Sequence, residues 1–258
     1  MQEDYIQAAN RRIRSVLIGK IDANKPTLVF LHGGIDCIEM WRDFPQQVHE
    51  ETQLPVIVYE RWGHGKSEPL SGFRKYDTRP VEADEPLADL FKHYGLDNVI
   101  LVGHSYGAVV SLIAASHHAA TIRGVVSIVP QMVIHPLCLA GVDDAKESFE
   151  NGNLRVKLVK FHGESVDTLF YDWINRVNDA DYQARDCADY LSQIACPVLQ
   201  IYGKDDVYGY LPNLGLSKKL ITSDLSILEI PGAGHYVHLE ATDDVIDAIK
   251  KFITHVDA

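Results

Sequence analysis

The 258-residue chain is poor in cysteine and has no excess of positive charge, and both shortages narrow its function. Its cysteines, Cys37, Cys138, Cys187 and Cys196, are scattered without a C-x-x-C pair. That spacing favours reduced, buried thiols over a disulfide framework or a metal site such as zinc. The formal net charge is -12 and no basic stripe is present. We therefore expect no binding to nucleic acid or to anionic membrane surfaces.

Long hydrophobic runs, internal repeats, low-complexity tracts and Gly/Ser linkers are also missing from the sequence. No stretch approaches the roughly 20 apolar residues that cross a bilayer. The first residues lack the basic and then apolar pattern of an export signal, so we expect a cytoplasmic protein. A chain of this length suits one α/β domain, and we expect it to be a monomer or a homodimer.

What the sequence does contain is a regular alternation of short apolar runs with amphipathic stretches. This order is typical of a mostly parallel sheet with helices on both faces. Helices are predicted around residues 82–94, where Gly95 supplies a left-handed stop, and from Thr242 onward. Strands are predicted around residues 14–18 and at 27–31, 56–59, 99–102, 125–129, 198–202 and 225–230.

Residues 132–194 interrupt this alternation, because they contain no clear strand and mix charged with aromatic side chains. We predict a helical insertion here, within a core domain formed by residues 1–131 and 195–258. An insertion after the strand at 125–129 would lie above the carboxyl ends of the strands, where ligands bind in open α/β sheets. The segment is therefore predicted to be a lid, with a minority of its aromatic residues lining a pocket.

The pentapeptide Gly103-His104-Ser105-Tyr106-Gly107 is a G-x-S-x-G motif between a predicted strand and a predicted helix. A nucleophile elbow needs this strand, tight turn and helix, and it holds the serine in a strained backbone conformation. Ser105 is therefore the candidate nucleophile. In such a turn His104 is expected to point away from Ser105 and to serve packing or hydrogen bonding.

A serine nucleophile needs a histidine base that is oriented by a carboxylate. His235 is the best candidate base, because it lies in a Gly-rich loop after the strand at 225–230; His238 is its competitor. Asp206 is the best candidate acid, since it follows the strand at 198–202, and Asp205 is the close alternative. The loops that contain His235 and Asp206 thus both follow the carboxyl ends of predicted strands. The chain order Ser, Asp, His is the order used by α/β-hydrolases.

With these motifs the chain resembles the α/β-hydrolase superfamily from Thr27 to the final helix, with the insertion least covered. The resemblance implies the α/β-hydrolase fold, a mostly parallel twisted sheet with helices on both faces and a helical lid. His32-Gly33-Gly34 is similar to the H-G-x loop of the superfamily. The implied oxyanion-hole donors are the backbone amides of Gly34 and Tyr106. The run from Glu60 to Ser67 is similar to a turn that is structural in the superfamily.

The resulting hypothesis is a serine hydrolase, resembling carboxylesterases, that needs no cofactor and no metal and cleaves a small carboxylic ester or related acyl bond. Ser105, His235 and Asp206 would be its catalytic residues, acting on a small-molecule acyl substrate through an acyl-serine. One alternative is hydrolysis of a carbon–carbon bond in a ring-fission product, which the aromatic-rich insertion suggests. Another is an oxygen-dependent dioxygenase on the same scaffold. A third is a ligand-binding homologue without activity.

Overall fold

The computed structural model describes residues 1–74, 76–185 and 187–256, and its centre is an eight-stranded sheet. The sheet order is β1-β2-β4-β3-β5-β6-β7-β8. β1 and β2 pair antiparallel, as do β2 and β4, whereas every other neighbouring pair is parallel. The strands are β1 (Gln2–Ala8), β2 (Arg11–Ile18), β3 (Thr27–Leu31), β4 (Val56–Tyr59), β5 (Val99–His104), β6 (Ile122–Ile128), β7 (Val198–Gly203) and β8 (Leu225–Ile230).

Helices connect these strands, and their order follows the predicted alternation. The helices of the core are α1 (Phe44–Thr52), α2 (Thr78–Ala83), α3 (Glu85–Tyr94), α4 (Tyr106–His117), α10 (Leu211–Leu220), α11 (Val237–Glu240) and α12 (Thr242–Val256). Between β6 and β7 lie α5 (Pro136–Glu150), α6 (Leu154–His162), α7 (Val166–Val177), α8 (Ala180–Ala184) and α9 (Ala188–Leu191). Gly95 ends α3 with φ of 64°, as predicted.

Alternation along the buried strands divides the core between the two faces of the sheet. Successive side chains of a strand point to opposite faces. Val29 and Leu31 thus pack with residues of α3 and α4, whereas Leu28 and Phe30 pack with residues of α1 and α12. Because helices cover both faces, every residue of β3, β4, β5 and β7 is buried. This is the predicted α/β class with a mostly parallel sheet.

The helices between β6 and β7 have a hydrophobic cluster of their own. Its buried members are Val142, Phe149, Leu158, Val166, Phe170, Ile174 and Val177. Ile35 and Met40 of the loop after β3 pack against this cluster. The helices α5 to α7 therefore cover the loop that follows β3, and the exact bounds 132–194 for an insertion stay a prediction.

The first strand is the element that sequence patterning missed. β1 forms the outer edge of the sheet and pairs with β2 from Gln2↔Leu17 to Ala8↔Arg11. Its burial is uneven, with Ile6 and Ala8 buried and most other positions exposed.

Among the described residues, no helix combines the length and the apolar composition that crossing a membrane requires.

Candidate active site

Ser105 lies in a strained turn between β5 and α4, as the pentapeptide predicts. Its φ of 52° and ψ of -113° place a non-glycine residue where side chains are rarely tolerated. The turn is possible because α4 packs directly on the backbone of β3. A Cβ atom at Gly107 would collide with the carbonyl group of Leu31. Ser105 is thereby held at the carboxyl edge of the parallel strands.

A continuous hydrogen-bonded chain joins Ser105, His235 and Asp206. His235 Nε2 lies 3.0 Å from Ser105 Oγ, and His235 Nδ1 lies 2.9 Å from Asp206 Oδ2. The Asp206 side chain is fully buried, and its other oxygen accepts a hydrogen bond from the Tyr208 amide at 2.9 Å. An acceptor at Nδ1 fixes the ring proton there and leaves the Nε2 lone pair for the serine hydroxyl.

Burial favours the neutral form of His235. Desolvation lowers the pKa of His235 below its ordinary value of 6.5, and the hydrogen bond that His235 donates to Asp206 offsets only part of that effect. A neutral imidazole at pH 7 can accept a proton. The geometry and the protonation state of His235 therefore both suit a general base.

The alternatives to these two residues lie elsewhere. His238 is buried against the rings of Trp41 and Phe44, with ring centroids 4.7 and 5.3 Å away. Asp205 is exposed, and its amide donates a hydrogen bond to the carbonyl of Ala233. The structure thus brings His235 and Asp206 to Ser105, and not His238 or Asp205.

Gly34 and Tyr106 line the same cavity as Ser105. Tyr106 is the first residue of α4, so its amide has no partner within the helix. Within the described part of the chain, neither this amide nor that of Gly34 donates a hydrogen bond. Two unpaired amides beside a serine can stabilise a developing oxyanion.

Arg61 binds the Gly33-Gly34 loop, a role that sequence reasoning did not assign. Its guanidinium donates hydrogen bonds to the carbonyl groups of Gly33 and Gly34. It also lies 4.3 Å from the ring centre of Tyr106 and forms an ion pair with Glu82. Arg61 is fully buried. Its position after β4 was visible in sequence, but the contact with a loop 27 residues earlier was not.

The cavity above Ser105 is small and mostly apolar, with a volume of about 100 Å³. None of the described residues that line it is a lysine or an arginine. The helices α5 to α8 contribute five lining residues, namely Cys138, Val142, Trp173, Val177 and Tyr182. Only Trp173 and Tyr182 among them are aromatic, so most aromatic residues of this region are packing residues.

Two further lining residues bear on the chemistry of the cavity. Gln131 follows β6, and its side-chain oxygen is buried without a hydrogen-bond partner among the described residues. Cys138 is a thiol whose pKa burial raises to about 11, so it stays protonated at neutral pH. Among the described residues, the cavity thus offers the buried, unpaired oxygen of Gln131 and, in Cys138, a protonated thiol.

The described residues also bring together one trio of possible metal ligands, Cys37, Glu39 and Glu60. Arg14 already donates hydrogen bonds to both carboxylates, at 2.7 and 3.4 Å. Burial raises the pKa of the Cys37 thiol, which opposes the thiolate that a metal would bind. The donor set therefore fits an ion-pair cluster better than a metal centre.

Comparison with known proteins agrees with this architecture. The model of the alpha/beta hydrolase family matches residues 28–248, and the chain belongs to that family. It is 25% identical over 270 residues to 2-(acetamidomethylene)succinate hydrolase of Mesorhizobium japonicum, covering 93% of this chain and 94% of that protein. It is 27% identical over 277 residues to protein PHYLLO of Arabidopsis thaliana, where the match covers 91% of this chain but only 16% of that protein.

Solved structures show the same fold at lower sequence identity. A carboxylesterase structure of the thaumarchaeon Nitrososphaera gargenis superposes with a TM-score of 0.78. The two chains are 18% identical, and the match covers 98% of this chain and 99% of the other. The protein is therefore an α/β hydrolase in fold and family.

Proposed function

We propose that this protein is a serine hydrolase that cleaves small, uncharged carboxylic esters through an acyl-serine intermediate. The observation that supports this most strongly is the chain of 3.0 and 2.9 Å contacts from Ser105 through His235 to Asp206. The Ser105 end of this chain of contacts lies in a cavity that Gly34 and Tyr106 also line. Family membership gives the fold, and this local geometry supports the chemistry.

In the proposed mechanism, Ser105 Oγ attacks the ester carbonyl carbon while His235 Nε2 takes the hydroxyl proton. The carbonyl oxygen becomes an oxyanion that the Gly34 and Tyr106 amides stabilise. When this intermediate collapses, the bond to the alcohol breaks and His235 returns its proton to the departing oxygen. Water then attacks the acyl-serine with the same base, releasing a carboxylic acid and restoring Ser105.

The proposed substrate class follows from the lining of the cavity. A volume of about 100 Å³ suits a short acyl group, and its apolar wall suits an uncharged one. A carboxylate buried there would have no lysine or arginine among the described lining residues to pair with. The unpaired oxygen of Gln131 would instead accept a hydrogen bond from a substrate hydroxyl or amide group.

The proposed substrate differs from the compound for which one relative of this protein is named. The Mesorhizobium relative is named for a succinate derivative, a compound with two carboxylates. Since no lysine or arginine of the described residues lines the present cavity, we propose a different, uncharged substrate. We also propose that α5 to α8 act as a lid, because five of their side chains close the cavity over Ser105.

Hydrolysis of a carbon–carbon bond is the weaker alternative. It was suggested by the aromatic residues of the region between β6 and β7. Phe149, Phe170 and Tyr171 contact one another there, and none of them lines the cavity. Loss of dienoate absorbance without ester turnover would favour this alternative over an esterase.

The test is hydrolysis of p-nitrophenyl acetate, butyrate and octanoate by wild type and by Ser105→Ala. We expect turnover of the short esters by wild type, and at least a thousandfold loss in Ser105→Ala because the proposed nucleophile is removed. Ser116→Ala is the matched control, since Ser116 lies on the same helix with its hydroxyl bonded to the Ile113 carbonyl. Equal rates for wild type and Ser105→Ala would refute the proposal.

The same panel tests the charge preference. A monoester of succinic acid carries a free carboxylate on a chain as short as that of the butyrate ester. We expect its kcat/KM to be at least tenfold below that of the uncharged butyrate. Faster turnover of the charged ester would contradict the proposed substrate class while leaving the serine mechanism intact.

A further inference from the structure

A buried carboxylate and imidazole lie side by side next to the Ser105–His235 contact. Asp36 Oδ2 is 3.4 Å from His104 Nδ1, and the two side chains are 7% and 2% exposed. Asp36 follows the Gly33-Gly34 loop, and His104 immediately precedes Ser105. Both residues line the cavity. The proposed mechanism uses neither of them.

Asp36 is held in its ionised form. Its carboxylate accepts hydrogen bonds from the Gly33 amide at 3.1 Å and from the Tyr236 hydroxyl at 3.0 Å. Burial alone would raise the pKa of Asp36, but His104 and Tyr236 outweigh burial and hold that pKa well below its ordinary value of 3.8. Both oxygens of Asp36 are therefore acceptors.

His104 then faces an acceptor at each ring nitrogen. Nδ1 faces the Asp36 carboxylate at 3.4 Å, and Nε2 lies 2.9 Å from the backbone carbonyl oxygen of His235. A carbonyl oxygen and a carboxylate cannot donate, whereas a neutral imidazole has one nitrogen without a proton. Either neutral tautomer would place a nitrogen lone pair against an oxygen. Only the doubly protonated ring directs a proton toward both oxygens.

We propose that His104 is an imidazolium at neutral pH and that the Asp36–His104 ion pair is a positioning device for the active site. It joins three segments of the chain at one point. Asp36 binds the Gly33 amide within the loop after β3, His104 is the last residue of β5 before Ser105, and the His235 carbonyl belongs to the loop after β8. The effect on catalysis rests on the proposed serine hydrolase function, whereas the charge of His104 does not.

The surroundings of His104 are compatible with that charge. The titratable groups that face it are Asp36, His235, Tyr236 and His238, with ring centroids 5.1, 5.0 and 4.6 Å away for the last three. Burial, with His104 contributing, lowers the pKa of His235 and of His238, and burial raises the pKa of Tyr236. Arg42 further lowers the pKa of His238. Among the described groups that face His104, Asp36 is thus the charged one, and its sign is opposite.

Gly33 shows how closely the pair is packed. A Cβ atom there would collide with Asp36 Oδ2 and lie 3.0 Å from His104 Nδ1. Any side chain at position 33 would separate the two groups. The glycine of the H-G-G sequence therefore makes room for the ion pair, in addition to shaping the loop.

The direct test is nitrogen-15 NMR of the histidine side chains in the wild-type protein at pH 8, with sequential assignment of His104. We expect both ring nitrogens of His104 to be protonated, and each to correlate with its own proton. A single unprotonated ring nitrogen would overturn the proposal. This measurement needs no substrate, so it decides the charge of His104 even if the protein hydrolyses no ester.

The positioning role is tested by the pH dependence with which Ser105 reacts with a fluorophosphonate. His104→Gln removes the positive charge next to His235, so the acid limb of the profile should move to higher pH by ~1 unit. Asp36→Asn combined with His104→Gln removes both charges and should move the limb back toward the wild-type position. If the pair had a purely structural role, both variants would react more slowly, but the acid limbs of their pH profiles would not move in opposite directions.

His118→Gln is the matched control, because His118 also bonds a backbone carbonyl, that of Ala83, but lies at the far end of α4. Its profile should coincide with that of wild type. An unchanged acid limb in folded His104→Gln would overturn the positioning role. If that variant does not fold, the wild-type NMR result still decides the proposal.

Discussion

At the scale of single residues, burial and hydrogen bonding set the protonation states around Ser105. His235 is neutral because it is buried, and its proton is on Nδ1 because Asp206 accepts there. The sequence indicated these three residues because each follows a predicted strand. It could not indicate Asp36 or Arg61 as partners, since their contacts depend on how loops meet in space.

Replacing Asp206 with asparagine tests the orienting role of the carboxylate. The amide can present its N–H group to His235 Nδ1, which would move the ring proton to Nε2 and deprive Ser105 of its base. We expect kcat to fall by about 10³- to 10⁴-fold. The acid limb of kcat/KM should also move to lower pH, because Asp206 raises the pKa of His235.

Asp205→Asn is the control for this prediction, since Asp205 is exposed and adjacent. Its kcat should lie within about twofold of wild type. The orienting role of Asp206 would be wrong if the two variants lost activity equally, or if only Asp205→Asn did.

At the scale of secondary-structure elements, α7 has two distinct faces. Phe170 and Ile174 belong to the hydrophobic cluster of α5 to α7, whereas Trp173 lies over the Gly33-Gly34 loop. A Cβ atom at Gly34 would be 3.0 Å from Trp173 Nε1. Trp173 therefore limits the height of the cavity directly above a proposed oxyanion donor.

Trp173→Ala should enlarge the cavity and shift the preferred ester from short to longer acyl chains. We expect the ratio of kcat/KM for octanoate to that for acetate to rise at least tenfold, because the removed indole leaves apolar space for added methylene groups. Tyr171→Ala is the control on the same helix, as Tyr171 does not line the cavity. An equal change of the ratio in both variants would mean that Trp173 does not limit acyl length.

The elements themselves were largely predictable from the sequence. The six predicted core strands are all present, because buried parallel strands are short apolar runs between helices. α12 begins at Thr242 and buries the periodic positions that indicated it, Val245, Ile246, Ile249, Phe252 and Ile253. β1 was missed since its side chains are mostly polar and exposed, so pairing with β2 rather than hydrophobic patterning stabilises it.

The lining of the cavity could not be predicted in the same way. Both Phe170 and Trp173 are aromatic residues of one amphipathic helix, and periodicity alone does not tell which of them packs and which faces a ligand. The same holds for Gln131, whose unpaired oxygen is a property of its surroundings. The sequence thus indicated the residues that are proposed to react, while the lining of the cavity required tertiary structure.

At the scale of the whole molecule, buried histidines tie stability to pH. Burial lowers the pKa of five histidines, His32, His64, His162, His235 and His238. Below pH 6.5 the unfolded chain binds protons at these positions that the folded chain does not, so acid favours unfolding. Glu60, whose pKa burial raises, opposes this effect, and so would the proposed charge of His104.

We therefore expect the free energy of unfolding to decrease as the pH falls from 7 toward 5. Urea titrations at several pH values would measure it. His162→Gln should weaken this pH dependence, because protonation of His162 would break the hydrogen bond that its Nδ1 accepts from the Gly65 amide at 2.9 Å. Constant stability between pH 8 and pH 5 would contradict the account of the buried histidines.

The most direct test of the central claim is to find which residue an active-site-directed reagent modifies. After reaction with a fluorophosphonate, peptide mass spectrometry should show a single adduct, on Ser105. The adduct should be absent from Ser105→Ala and should form at least a hundredfold more slowly in His235→Ala. Modification of another residue, or an equal rate in His235→Ala, would contradict the proposal that His235 activates Ser105 as the nucleophile.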